Sequence, residues 1–202
     1  MPTASSRVAL FLTLFILSPA ITQASPELIT AVWKVQSLDF SYNGSATAYS
    51  CSTLQRRLQE ILRSVGARQT LTVVMQRCVD QADAQVQIKL ASPVEATDAN
   101  IASLTQHDST DVLIAKVRNE ALPTAANLER FPATWRTVSM SRDKELQLDA
   151  GDCELVKQLR REVFPLMSIR ILHDNLRCSV AFPNLGQPQL SVAALVAAPM
   201  DH

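Results

Sequence analysis

The sequence predicts an α+β protein made of two tandem β-β-α-β-β units, each a helix packed on a small, mainly antiparallel sheet and stapled by its own disulfide. Three observations predict it. The four cysteines stand as two widely spaced pairs, an amphipathic helix pattern follows the first member of each pair, and the two tryptophans lie equally far ahead of those cysteines.

Compartment decides what the cysteines mean. Residues 1–24 carry one charge, Arg7, then an apolar run over 8–17 broken only by Thr13, then Pro19 and the small-residue ending Thr22-Gln23-Ala24. This is the pattern of a secretory signal peptide cut after Ala24. The apolar run is about half of the ~20 residues that a membrane-spanning helix needs, so no membrane span is expected after cleavage. No cysteine stands at the cut to carry a lipid. The expected location is periplasmic or secreted, where an even cysteine count favours disulfides.

Removing 24 of the 202 residues leaves 178, with 18 basic and 19 acidic side chains and a net charge of −1. That balance supplies no long-range field to gather nucleic acid or anionic lipid, so nucleic acid is not an expected partner. A hydrophobic fraction of 47% and a charged fraction of 19% describe a globular chain. With 5% aromatic residues, its core must be mainly aliphatic.

The first unit spans 25–94. Trp33 stands in AVWKVQSLDF, and SLDFSY and SATAYS flank Asn43-Gly44, the dipeptide that a type I′ hairpin turn prefers. Leu54, Leu58, Ile61, Leu62 and Val65 then form a helical stripe, with Gln55, Arg56, Arg57, Gln59, Glu60 and Arg63 on the other side. Ser52 and Gln55 read as a capping box and Gly66 as the stop. Residues 70–75 are β-branched and apolar, a strand. A helix of ~14 residues rises about 20 Å and a strand of ~7 residues returns about 23 Å, which brings Cys78 back to Cys51. A further strand is expected over 84–91.

Residues 95–132 read as a connector. It is polar as far as Thr110, and DVLIAKV at 111–117 is a short strand or helix to be docked on the core. A structureless linker of that length would be unusual in a compact protein.

The second unit spans 133–202 and echoes the first. ATWRTVSMSR follows AVWKVQSLDF by 102 positions, each tryptophan precedes a cysteine by 18, and Arg77-Cys78 is matched by Arg177-Cys178. VSMS and LQLD flank a second hairpin candidate. Asp152 is the expected N-cap, Val156, Leu159, Val163 and Met167 make the stripe, and Pro165 should end the helix near Phe164. Cys153 therefore pairs with Cys178, and a last strand is expected over 189–196. Whether the units form two domains or one joined sheet stays open.

Tyr49-Ser50-Cys51, Gly66-Ala67-Arg68, Cys78, Phe131-Pro132-Ala133-Thr134-Trp135 and Gly151-Asp152-Cys153-Glu154-Leu155-Val156 resemble a family of small, uncharacterised exported proteins of Gram-negative proteobacteria. The resemblance covers most of the chain from Trp33 to the last strand. It implies a periplasmic or secreted protein and no activity. Ser52-Thr53 stand where that family's pattern has an acidic residue and a glycine.

Candidate chemistry is sparse. His107, Asp108 and Asp111 are possible metal ligands but read better as a polar loop, since zinc sites draw on more His or Cys. Asp80 and Asp83 are a possible carboxylate pair that reads better as a turn. Arg56, Arg57, Arg63, Arg160 and Arg161 can receive an acidic partner or phosphate, with a solvated helix face as the default. Asn43-Gly44-Ser45 matches a glycosylation acceptor but reads as a turn. Trp33 and Trp135 read as core anchors of each sheet. No catalytic residue, metal or cofactor is assigned. The expectation is a non-catalytic binding or scaffold module with a protein or small ligand as partner in the envelope; the alternative is a hydrolase or other enzyme with scattered Asp, Glu and His.

Overall fold

The computed structural model of the chain describes residues 27–44, 49–79, 83–119, 121–178 and 188–199. The expected signal segment, Ser45 to Ala48 of the first hairpin candidate and Asp80 lie outside them. The elements are β1 (Ile29–Asn43), α1 (Cys51–Ser64), β2 (Thr72–Val79), β3 (Asp83–Glu95), α2 (Asp98–Thr105), α3 (Ser109–Arg118), β4 (Arg130–Ser139), α4 (Cys153–Glu162), β5 (Ile169–Asn175) and β6 (Gln189–Ala197). All six strands join one antiparallel sheet in the order β2-β3-β1-β4-β6-β5.

Alternation along the strands selects the face that receives the helices. On β1, Phe40 and Tyr42 are buried while Ser37, Asp39 and Ser41 between and before them are exposed. Leu54, Leu58, Ile61 and Leu62 of α1 and Leu155, Val156 and Leu159 of α4 pack with them in one continuous core. Both expected helical stripes are thus buried, and the two halves share a core and a sheet.

Both expected disulfides form. Cys51–Cys78 and Cys153–Cys178 have Cα separations of 6.1 and 5.5 Å. Each ties the first residue of a helix to the strand that returns beside it, or to the chain just beyond that strand.

The caps differ from expectation. Ser50, not Ser52, caps α1: its Oγ accepts from the Thr53 amide, and Gln55 donates instead to the Val73 carbonyl. Asp152 makes no cap bond to α4; it closes a capping box with Asp149 around a 3-10 turn at Ala150–Asp152. Pro165 acts as expected, in a 3-10 turn after α4 ends at Glu162.

The second hairpin does not form, and most of the return strand expected for the first lies outside the described residues. SLDFSY belongs to the single long strand β1, and Tyr49 and Ser50 are not in a strand. In the second half LQLD is not a strand either. Asp143 Oδ1 accepts from the Glu145 and Leu146 amides, so the backbone is satisfied locally while Leu146 and Leu148 are buried. Among the described residues, one strand of its own half precedes each of α1 and α4 and two follow it.

The ladders of the two halves share a register. Trp33 pairs with Pro93 and Trp135 with Leu195, the second pair lying 102 positions after the first. Between the halves, β1 meets β4 only from Ile29↔Ala133 to Val32↔Arg130. Within that seam Ile29↔Ala133 and Ala31↔Phe131 exchange under the same shift of 102.

Gly66 shows how tightly the halves are fitted. It closes α1 at φ +101°, and a Cβ added there would lie 2.5 Å from the Leu195 carbonyl oxygen of β6. Only glycine tolerates both conditions. Gly66→Ala is expected to cost roughly 2–4 kcal/mol in urea unfolding, from left-handed strain plus a backbone clash. A loss below ~0.5 kcal/mol would show that α1 does not close against β6 in this way.

Candidate functional site

Two of the places where the halves meet gather several polar or aromatic side chains. The first is buried. Asp152, 1% exposed, accepts the Tyr49 hydroxyl at 2.5 Å on Oδ1 and the Asp149 amide at 3.0 Å on Oδ2. Arg57 Nε lies 3.5 Å from Oδ1, and Arg57 Nη1 also donates to the Leu146 carbonyl and to Glu60. Tyr42 packs edge-on against Tyr49 with ring centroids 5.5 Å apart. Burial first, then the bond to Asp152 and its charge, push the Tyr49 hydroxyl far above its usual range; burial and the charges of Glu154 and Asp152 likewise raise Tyr42. A tyrosine held protonated beside a carboxylate that already accepts bonds is a structural clamp rather than an acid or base in reach of solvent.

The second is the sheet face opposite the helices. It is open: Val35 of β1 is 77% exposed and Val74 of β2 44%, with Ser37, Asp39, Gln85 and Lys89 exposed around them. At its middle lies an aromatic band over the β1–β4 seam. Trp33 stacks on Phe131 at 4.3 Å, and Ile29, Phe131 and Trp135 pack on Ala31, Ala133 and Leu195. Each tryptophan carries an arginine over its ring, Arg68 at 5.0 Å from the Trp33 centroid and Arg170 at 3.8 Å from that of Trp135. These arginines also cross between halves, Arg68 to Glu129 at 3.2 Å and Arg170 to Glu95 at 3.6 Å.

No protein-family model, curated protein or solved structure matches this chain. The site must therefore be read from its own chemistry.

The tryptophans are half-buried and pack at the seam, outside the main core, which corrects their reading as core anchors of each sheet. The arginines of the helix faces are largely engaged within the chain. Arg57 bonds as described, Arg56 pairs with Glu60, Arg160 with Asp174 and Arg161 with Glu162. Arg63 Nε is buried without a hydrogen-bond partner among the described residues.

His107 and Asp108 lie in the short connection between α2 and α3, as the loop reading expects, while Asp111 is in the first turn of α3. Asp108 and Asp111 form a capping box on α3, and His107 Nε2 lies 2.8 Å from the Pro123 carbonyl. Asp83 opens β3. Among the described residues, no three His, Cys, Asp or Glu side chains come together as metal ligands. α3 is hardly docked on the core: Ala115 is its buried residue, while Leu113 and Val117 are 63% and 86% exposed. Among the described residues, no helix is long and apolar enough to cross a membrane.

Sequence reasoning gave no site role to Tyr49, Arg68, Phe131 or Arg170, and read Asp152 only as a helix cap. Tyr49, Arg68, Phe131 and Asp152 do sit in the short segments on which the expected resemblance rests. Those segments are distant in sequence and in contact in space.

Proposed function

We propose that this is an exported, non-catalytic binding module of the bacterial envelope, built from two tandem units, that takes a protein partner on the open face of its sheet. The arginine-capped aromatic band at the seam carries this reading. Tryptophan and arginine are the side chains that dominate binding energy at protein interfaces, and here they are held in place by stacking and ion pairs on an accessible face. The tandem reading is supported by the common shift of 102 in the Trp33 and Trp135 ladders, by Arg68 and Arg170 standing over those rings at that same shift, and by bridges of separation 27 and 25. Export is supported by two disulfides in a chain with no free cysteine among its described residues. The hydrolase alternative has no assembled catalytic set to rest on among the described residues.

The test is affinity purification from periplasmic extract with mass spectrometry, comparing the wild type with Trp135→Ala and Arg170→Gln. A partner recovered by the wild type and depleted at least tenfold by both variants, with unchanged circular dichroism, is the expected result. A clean protein with nothing bound, or a partner retained equally by the variants, sinks the proposal.

A further inference from the structure

Away from the seam, the open face of the second half holds a cavity of about 650 Å³, within the range of small-molecule sites. Its floor is a row of polar side chains across three strands. Ser139 of β4 pairs with Ser191 of β6, and Ser191 pairs with His173 of β5, so the three side chains adjoin on one face. Thr137 extends the row by one pleat, and Ser141 and Arg142 wall it from the turn after β4. No Asp or Glu stands among the described lining residues.

That composition selects a ligand class. The hydroxyls both donate and accept, which suits a partner that is itself rich in hydroxyls. Arg142 and the donors around it, with no lining carboxylate to repel, favour a negative group. The volume exceeds what a bare inorganic anion needs. A Ser-His hydrolytic reading has less behind it. Among the described residues, no hydrogen bond joins His173 to Ser139 or Ser191 and no carboxylate is bonded to its ring, so nothing activates a nucleophile.

We propose that this cavity is a binding site for a small hydroxylated anion, an acidic saccharide bearing a carboxylate or a phosphate, with Arg142 holding the anion and Ser139, Ser191 and Thr137 the hydroxyls. The site is separate from the seam, and neither proposal depends on the other.

Isothermal titration of the full exported chain with glucuronate, glucose 6-phosphate, glucose and inorganic phosphate tests it. Saturable binding of glucuronate or glucose 6-phosphate is expected, at least tenfold tighter than glucose; which of the two binds tells carboxylate from phosphate. Arg142→Gln should weaken that binding about ten- to a hundredfold, the loss expected for a charge-assisted hydrogen bond. Arg142 is exposed, so its melting temperature should hold. Ser139→Val should weaken binding as well, and more for the sugars than for inorganic phosphate. No saturable binding by either acidic sugar overturns the proposal. So does glucose binding as tightly as they do, an unaffected Arg142→Gln, or binding of inorganic phosphate alone.

Discussion

Replacing Cys51 and Cys78 together by serine should lower stability by about 3–4 kcal/mol, and replacing Cys153 and Cys178 by a similar amount. The bridges close loops with sequence separations of 27 and 25, and the chain-entropy account gives this size for loops of that length. For a chain of this size the melting temperature should fall by roughly 10 °C for each bridge. Thermal unfolding of the two double variants measures it, and non-reducing peptide mapping of the wild type should return the same two linkages. A bridge between the halves would contradict the fold. A loss under ~1 kcal/mol would mean that the core alone fixes the helices against their return strands.

Asp152→Ala should cost about 3 kcal/mol or more. It strips a buried acceptor from the Tyr49 hydroxyl and the Asp149 amide and leaves Arg57 facing a void, and removing one partner of a buried ionic cluster is far costlier than its net worth. Asp152→Asn keeps an acceptor for Tyr49 and should recover part of the loss. The cluster also fixes a pH response. Tyr49 and Tyr42 have folded-state values raised above the unfolded value of 10.0. Above that pH the unfolded chain releases protons that the folded chain retains, so stability is intact below pH 10 and falls as pH rises further. The slope is about 1.4 kcal/mol per pH unit for each tyrosine. Urea midpoints between pH 9 and 11 should show it, with Tyr49→Phe removing its share. A flat profile, or an Asp152→Ala variant as stable as the wild type, would place the cluster in solvent.

What was legible in the sequence was local. The stripe from Leu54 to Val65 and that from Val156 to Met167 repeat at helical spacing, and each cysteine pair follows from one helix and one returning strand. The first hairpin candidate is tested only on its leading side, since Ser45 to Ala48 lie outside the described residues, and Asn43-Gly44 signals a turn without saying where the strand before it goes. That strand runs on as β1, paired with β3 along its length through Asn43↔Asp83. LQLD alternates like a strand, yet the Leu146 and Gln147 amides donate to Asp143 and the Asp149 amide to Asp152, so most of its amides are bonded without a ladder. The seam and the clamp were out of reach for another reason. Ile29 meets Ala133, Tyr49 meets Asp152 and Arg170 meets Glu95 across sequence separations that no periodicity encodes. The cavity is similar, since Ser139, Ser191 and His173 become neighbours only once three strands are in register.

The two bridges also fall at particular places in the sheet. β2 and β5 are its rims, each held by a single ladder, and rim strands are the first to peel and present extended backbone to a protease cleft. Cys78 lies in β2, and Cys178 lies just past the end of β5. Each is bonded to the first residue of a helix whose apolar side is sunk in the core. A rim strand therefore cannot lift free without dragging on a seated helix. Against a protease, this makes the two exposed margins of the sheet slow to digest.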